Sequence, residues 1–334
     1  HPFDKKLRDS FFYLKSFRNL LKMLNYYQII KHYDNIYNFD IILAYDSTIP
    51  TQIGFILKRE QNKKFMIISH GNDIIKKNYN LFTIEALKSA DSIIVRSNFV
   101  KNLVMQLYKI NEKKIFICPD GVIVNDINID KDKFGLREEL RLSKDDFIIL
   151  TIGTLYNVRK GFDLVLKAIK ELRDTFKIDL SYIKYLIIGR DDPKVRNWLY
   201  SLAERYNLSE NFQILTNLEE SLKNKYYKAS DLFVMPSRDL KDKGSIEGFG
   251  NVFIEAGYYC LSSIGSNKGG IPDAIENGKS GFLINTFDEL VEKIKFLYEN
   301  EEARMAMGNY AHERVMKQFT WDKIYLRYIK AFKN

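Results

Sequence analysis

Short apolar runs of strand length alternate with longer segments of helical period along this chain. In the first part, Ile41–Tyr45, Phe65–Ser69, Ser92–Arg96 and Lys114–Cys118 read as strands, with helices between them at Tyr79–Ala90 and Asn98–Leu107. A second array opens at Phe147–Leu155, followed by a helix from Phe162 to about Phe176. Its further strands fall at Tyr185–Gly189, Phe212–Leu215, Asp231–Met235, Ser262–Gly265 and Gly281–Ile284, and a periodic helix runs from Trp321 to Phe332. This alternation predicts stacked βαβ units with parallel sheets. Residues 122–144 are polar and charged and separate the arrays, so they are expected to be a linker. No internal repeat of fixed period is visible.

Composition narrows the class. With 334 residues, 46% hydrophobic and 28% charged, the chain can bury two cores and is expected to be soluble and globular. No apolar run approaches the roughly 18 residues a membrane span needs. The start, His1-Pro2-Phe3-Asp4-Lys5-Lys6, lacks the pattern of a signal peptide and lacks an initiator Met. Cys118 and Cys260 lie in apolar stretches without metal-ligand spacing, which predicts buried free thiols in a reducing cytoplasm. The net charge of +9 favours polyanionic partners. The cations are dispersed and no aromatic or Cys/His nucleic-acid motif accompanies them, so nucleic acid is not expected as a partner. Between Lys5 and Leu24, cations mix with apolar residues at helical spacing. That pattern fits a core-facing helix, and also a peripheral contact with the inner, anionic face of a membrane.

The chemistry concentrates in a few stretches. Glu247 and Glu255 lie eight positions apart, the first in a loop and the second in an apolar helical run. Gly248 and Gly250 follow the first, where a missing Cβ lets a ligand approach the backbone and the helix start offers free N–H groups to an anion. The spacing suits a phosphate flanked by two groups of hydroxyls, as in a sugar nucleotide. Gly153-Thr154-Leu155-Tyr156-Asn157-Val158-Arg159-Lys160-Gly161 runs from a strand end to a helix start. Two cations there oppose the helix dipole, a mismatch that a bound anion would resolve. His70-Gly71-Asn72-Asp73 follows a strand directly, and such loops hold ligands in open α/β sheets. Asp73 can instead cap the next helix. Ser266-Asn267-Lys268-Gly269-Gly270-Ile271-Pro272 is a glycine-rich strand-to-helix turn. Asp130-Lys131-Asp132 reads as solvated linker rather than a metal site. A Gly-x-Ser-x-Gly elbow and a dinucleotide Gly-x-Gly-x-x-Gly are both missing from the sequence, which speaks against hydrolase and dehydrogenase chemistry.

The segment Glu247–Glu255 resembles the Glu-x7-Glu signature of retaining GT-B glycosyltransferases. Met235-Pro236-Ser237-Arg238 and Gly269-Gly270-Ile271-Pro272-Asp273-Ala274-Ile275-Glu276-Asn277-Gly278 are similar to glycosyltransferase family four. The resemblance implies two Rossmann-like, doubly wound parallel-sheet domains facing across a cleft. Their expected bounds are 1–121, joined by a C-terminal helix at 319–334, and 145–318 for nucleotide-sugar binding. It further implies that Glu247 holds hydroxyls of the transferred sugar and that Glu255 holds the ribose. Gly153, Thr154, Gly248, Phe249, Gly250 and Asn251 would line the donor. Lys160-Gly161 is similar to the family's Lys-Gly, so Arg159 and Lys160 would stabilise the departing diphosphate. Thr154 stands where the family commonly has Arg, and Arg159 is the candidate substitute. His70 maps onto a His that faces the donor sugar, with Gly71 and Asp73 beside it as further sugar or acceptor contacts. Tyr258-Tyr259-Cys260-Leu261-Ser262 departs from the family's Cys-Gly-x-Pro.

What the resemblance implies about activity is retaining, metal-independent transfer of a hexose from a nucleotide diphosphate sugar, without a cofactor, to a hydroxyl of a glycan or lipid-linked glycan. The loop Arg238–Ile246 looks like that of phosphatidylinositol mannosyltransferase-like members and tilts the donor toward GDP-mannose, with UDP-glucose or UDP-N-acetylglucosamine left open. The rivals are an epimerase or phosphorylase on the same fold, and a sugar-nucleotide-binding protein without activity. The family's opening strand and glycine-rich loop are not visible, and the expectation is that they precede His1.

Overall fold

The computed structural model describes residues 21–75, 81–124, 133–156, 158–238, 240 and 245–333. The chain divides into two units. The first takes residues up to Val95, Lys101–Phe116 and the last residues from Lys330; the second takes Arg96–Val100 and Ile117–Ile329.

In chain order the first part forms α1 (residues 21–37), β1 (Ile41–Tyr45), α2 (Ile49–Gln61), β2 (Lys64–Ser69), α3 (Leu81–Ser89), β3 (Ser92–Val95), α4 (Asn98–Tyr108) and β4 (Ile115–Ile117). The strands make a sheet in the order β1-β2-β3-β4, with β1 parallel to β2 and β2 parallel to β3. Phe65 to Ser69 and all of β3 are buried, as expected of branched residues covered on both faces. Gly54 lets α2 press onto this sheet, since a Cβ there would lie 2.1 Å from the Phe65 ring. The last turn of the chain is fastened to the same unit, where Lys64 Nζ donates to Phe332 O (2.7 Å) and Ser92 Oγ to Ala331 O (3.1 Å).

After α5 (Lys133–Glu139) the second unit runs β5 (Phe147–Ile152), α6 (Phe162–Asp174), β6 (Ile183–Gly189), α7 (Pro193–Arg205), β7 (Phe212–Thr216), α8 (Glu220–Ala229), β8 (Leu232–Met235), α9 (Asn251–Tyr258), β9 (Ser262–Ser266), α10 (Ile271–Ala274), β10 (Gly281–Ile284), α11 (Phe287–Glu299), α12 (Glu301–Gln318) and α13 (Trp321–Lys333). The sheet order is β10-β9-β8-β5-β6-β7, and every adjacent pair is parallel. The period of two sorts side chains between two cores. Phe147, Ile149, Tyr185, Ile187, Leu232 and Val234 face α6, α7 and α11. Ile148, Leu150, Ile152, Leu186, Ile188, Phe233 and Met235 face α8, α9 and α12. The winding reverses between β5 and β8, the topological switch point at which open α/β sheets bind ligands beyond the strands' carboxyl ends.

Several bounds differ from the sequence expectation. Residues 133–139 of the expected linker form α5, because Arg137 is buried on an ion pair with Asp231 Oδ2 (2.5 Å) and Leu136 is buried beside it. Of the C-terminal helix, all but the last residues from Lys330 group with the second unit rather than the first. Cys118 is buried as expected, but Cys260 is exposed: it sits just after α9 at φ 59°, and that left-handed turn swings it away from the core. Asp130-Lys131-Asp132 and most of Lys5–Leu24 lie outside the described residues. No helix among the described residues is long and apolar enough to cross a membrane.

Candidate active site

The switch point is assembled from three loops of the second unit. Gly153 N continues the β5 ladder to Ile188 O (2.9 Å), and Leu155 N bonds Arg190 O (3.1 Å). Gly189 must lack a side chain here, since its Cβ would lie 1.9 Å from Gly153 O. A short 3₁₀ turn at Val158–Lys160 then leads through Gly161, at φ 79°, into α6. The stem of Lys160 returns over Gly153, within 3.3 Å of where a Cβ would stand. Thr154, half-buried beside it, carries no charge, so the cations of this loop are Arg159 and Lys160.

Both cations converge on one oxygen. Arg159 Nη1 lies 3.0 Å and Lys160 Nζ 2.7 Å from Glu247 Oε2. All three side chains are largely buried, at 4%, 12% and 14% exposure respectively. Burial pushes the Glu247 carboxyl up, and the Lys160 and Arg159 charges outweigh it, holding the group below its usual range. The triangle carries a net charge of one positive. Its loop is seated on backbone: Gly270 N donates to Glu247 O (2.8 Å), and a Cβ on Gly270 would come within 2.0 Å of Gly248 O.

Gly250, at φ 96°, starts α9, and no side chain among the described residues caps that helix start. Its first N–H groups are therefore available to an anion. Asn251 anchors the turn, with Nδ2 donating to Asp120 Oδ2 (2.7 Å). Phe249 is buried against Phe319 at 5.7 Å between ring centres, so it offers backbone rather than ring to a ligand. One turn further, Glu255 Oε2 accepts from Tyr227 OH (2.9 Å) and faces Lys223 Nζ at 3.4 Å. It borders a cavity of about 180 Å³ lined also by Asn224, Tyr258, Tyr259 and Trp321.

His70 belongs to the first unit, at the carboxyl end of β2, with its ring 4.6 Å from that of Tyr45. Asp73 beside it is buried and turned inward. Its Oδ1 accepts from His70 N (2.9 Å), Gly71 N (2.8 Å) and Ser69 Oγ (3.1 Å), and its Oδ2 from Ser47 N (3.1 Å) and Ser47 Oγ (2.8 Å). Gly71, at φ 102°, makes the bend that brings these donors together. Asp73 thus holds the loop that presents His70.

Sequence reasoning did not single out Asp163, Tyr227, Lys223 or the guanidinium of Arg238. Arg238 ends the Met235-Pro236-Ser237-Arg238 motif, but its partner, Asp163, is distant in the chain. Only the fold joins them.

The sequence profile of Glycosyl transferases group 1 matches residues 132–314, and that of Glycosyltransferase Family 4 matches residues 3–126. An uncharacterized glycosyltransferase of Methanocaldococcus jannaschii is 26% identical over 96% of this chain and 83% of its own length. The capsular polysaccharide biosynthesis glycosyltransferase CapM of Staphylococcus aureus is 27% identical over 74% of this chain, which spans 64% of CapM. Among solved structures, a glycosyltransferase from Rickettsia africae superposes with a TM-score of 0.78 at 22% identity, covering 93% of this chain and 80% of that one. HepE of Anabaena, solved with UDP, superposes with a TM-score of 0.77 at 16% identity over 91% of this chain and 81% of its own.

Proposed function

Since the chain belongs to the glycosyl transferases of group 1, with the GT-B fold of two Rossmann-like domains, we propose that it transfers a hexose from a nucleotide diphosphate sugar to an acceptor hydroxyl with retention of configuration. The observation that carries this reading is the buried triangle of Glu247, Arg159 and Lys160 at the switch point, next to the uncapped start of α9. Cleaving the bond from the sugar C1 to the phosphate oxygen leaves negative charge on the diphosphate. Arg159, Lys160 and the α9 N–H groups are fixed donors for that charge, which lowers the barrier without reorganisation. The acceptor oxygen bonds to C1 on the face the diphosphate leaves, and its proton passes to a diphosphate oxygen. No divalent metal is needed where protein cations supply the charge. Glu247 would exchange part of its cation contact for sugar hydroxyls, and Glu255 would take the ribose diol. The acceptor is a glycan or lipid-linked glycan, and the resemblance gives His70 a part in holding the transferred sugar.

The test is a thermal-shift panel of GDP-mannose, UDP-glucose and UDP-N-acetylglucosamine. A donor present at about 100 times its dissociation constant stabilises the fold by about 2.7 kcal/mol. GDP-mannose heads the panel because of the loop from Arg238 to Ile246. The product formed with the stabilising donor, in EDTA, should keep the donor's anomeric configuration by NMR. An inverted product, or strict dependence on Mn²⁺ or Mg²⁺, would overturn the mechanism. No stabilisation by any nucleotide sugar would overturn the function.

A further inference from the structure

Arg159 and Lys160 sit where a helix start repels cations, on a 3₁₀ turn of three residues with little hydrogen bonding of its own. Glu247 offsets part of their charge, and the backbone of the turn needs a hold of its own. The structure supplies it from the loop after β8. Arg238 N donates to Arg159 O (2.7 Å), and Arg238 Nη1 donates to Val158 O (3.1 Å). The same guanidinium forks onto Asp163 in the first turn of α6, with Nη1 to Oδ1 at 2.8 Å and Nη2 to Oδ2 at 2.6 Å. One side chain therefore ties the turn to the helix that follows it. Behind the turn, Gly161 meets Pro236 so closely that a Cβ would lie 2.4 Å from Pro236 O. The β8 loop is in turn fixed to β9, where Ser266 Oγ donates to Ser237 O (2.6 Å).

Building on the function proposed above, we propose that Asp163 and Arg238 are a positioning pair, which sets the direction of Arg159 and Lys160 toward the leaving diphosphate without touching it. Planar, bidentate pairing fixes orientation as well as distance, which a Lys in place of Arg238 would not do. The negative charge of Asp163 also offsets the two cations at the positive end of α6. Arg238 and Asp163 are 35% and 20% exposed, and Asp163→Asn and Arg238→Lys keep most of each side chain's volume, so these variants should fold.

The experiment measures binding of a nucleoside diphosphate and of the matching nucleoside by calorimetry, for the wild type, Asp163→Asn and Arg238→Lys, each with and without Lys160→Ala. Melting curves serve as the check on folding. A charge-assisted hydrogen bond that loses its aim gives up about tenfold in affinity, so each single variant should bind the diphosphate about tenfold or more weaker. Nucleoside binding should hold within about twofold. In the Lys160→Ala background the same changes should cost clearly less than in the wild type, because one of the two cations that the pair directs is gone and such coupling is non-additive. Additive losses in that background, or equal losses for nucleoside and diphosphate, would make the pair merely structural and end the proposal. A wild-type protein that does not prefer the diphosphate over the nucleoside would sink the underlying function as well.

Discussion

Replacing Glu247 by Gln keeps the shape of the side chain and removes one negative charge from the triangle, so it should tighten binding of a nucleoside diphosphate while it slows transfer. In the native protein a carboxylate oxygen lies 2.7 Å from Lys160 Nζ and 3.0 Å from Arg159 Nη1, leaving one net positive charge. A phosphate bonded to Lys160 on the side away from Glu247 would place its charge about 5.5 Å from that carboxylate, where repulsion is roughly 3 kcal/mol per charge pair at an effective dielectric constant of about 20. Relaxation of the three side chains and water entering with the ligand reduce this to about 1.5 kcal/mol, about tenfold in affinity. A second effect has the same sign. Breaking a buried pair leaves uncompensated charge that costs about 3 kcal/mol or more of stability, and the arriving diphosphate relieves it. Calorimetry with GDP and UDP, and with guanosine and uridine as controls, measures the change. The diphosphate should bind Glu247→Gln at least about tenfold tighter, the nucleoside should not change, and turnover should fall about a hundredfold with the lost sugar contact. Diphosphate affinity that is unchanged or weaker in a folded variant would refute this charge balance.

Lys160→Ala should weaken the diphosphate by about 2 kcal/mol and spare the nucleoside, since only the former reaches a charge-assisted bond; calorimetry on both ligands separates this from general damage. Gly161→Ala combines φ 79° with a contact 2.4 Å from Pro236 O, so urea melts should show about 1–3 kcal/mol of lost stability, and a neutral variant would mean that the two loops do not meet. Thiol titration should modify Cys260 in the folded protein and Cys118 only on unfolding, because Cys260 is exposed whereas Cys118 is buried and burial pushes its thiol up to about 11. The Glu247 carboxyl is held below its usual 4.5, so the native state binds fewer protons than the unfolded chain as acid is approached. Its stabilisation is complete above the unfolded value and is lost as pH falls through the folded one. Urea midpoints between about pH 5 and about pH 3 should therefore drop more for wild type than for Glu247→Gln.

β3 and β5 were legible because each is a run rich in branched residues and buried throughout, and β1 and β10 start and end where the apolar runs do. The order of β5 to β10 was not, since winding direction is decided by how α6 to α12 pack and not by any strand's own pattern. Charge misled the sequence reading at 122–144, where Arg137 looks solvated but its guanidinium is buried on Asp231. Cys260 misled in the opposite sense, because its apolar neighbours do not reveal the left-handed turn that exposes it.

At the site, residue types were readable and their partnerships were not. Arg159, Lys160 and Glu247 each stood out locally, yet the contact on one Glu247 oxygen joins residues 87 and 88 positions apart. The two acidic candidates beside glycines show what the fold adds. Asp73 directs both oxygens at five donors of its own loops, and leaving them for a ligand would strand buried N–H groups at a cost of about 1–3 kcal/mol each. Glu247 leans on two side-chain cations that have donors to spare for an incoming anion. A carboxylate that can exchange partners without orphaning the backbone is free to meet substrate, and that criterion favours the proposed role of Glu247 over one for Asp73.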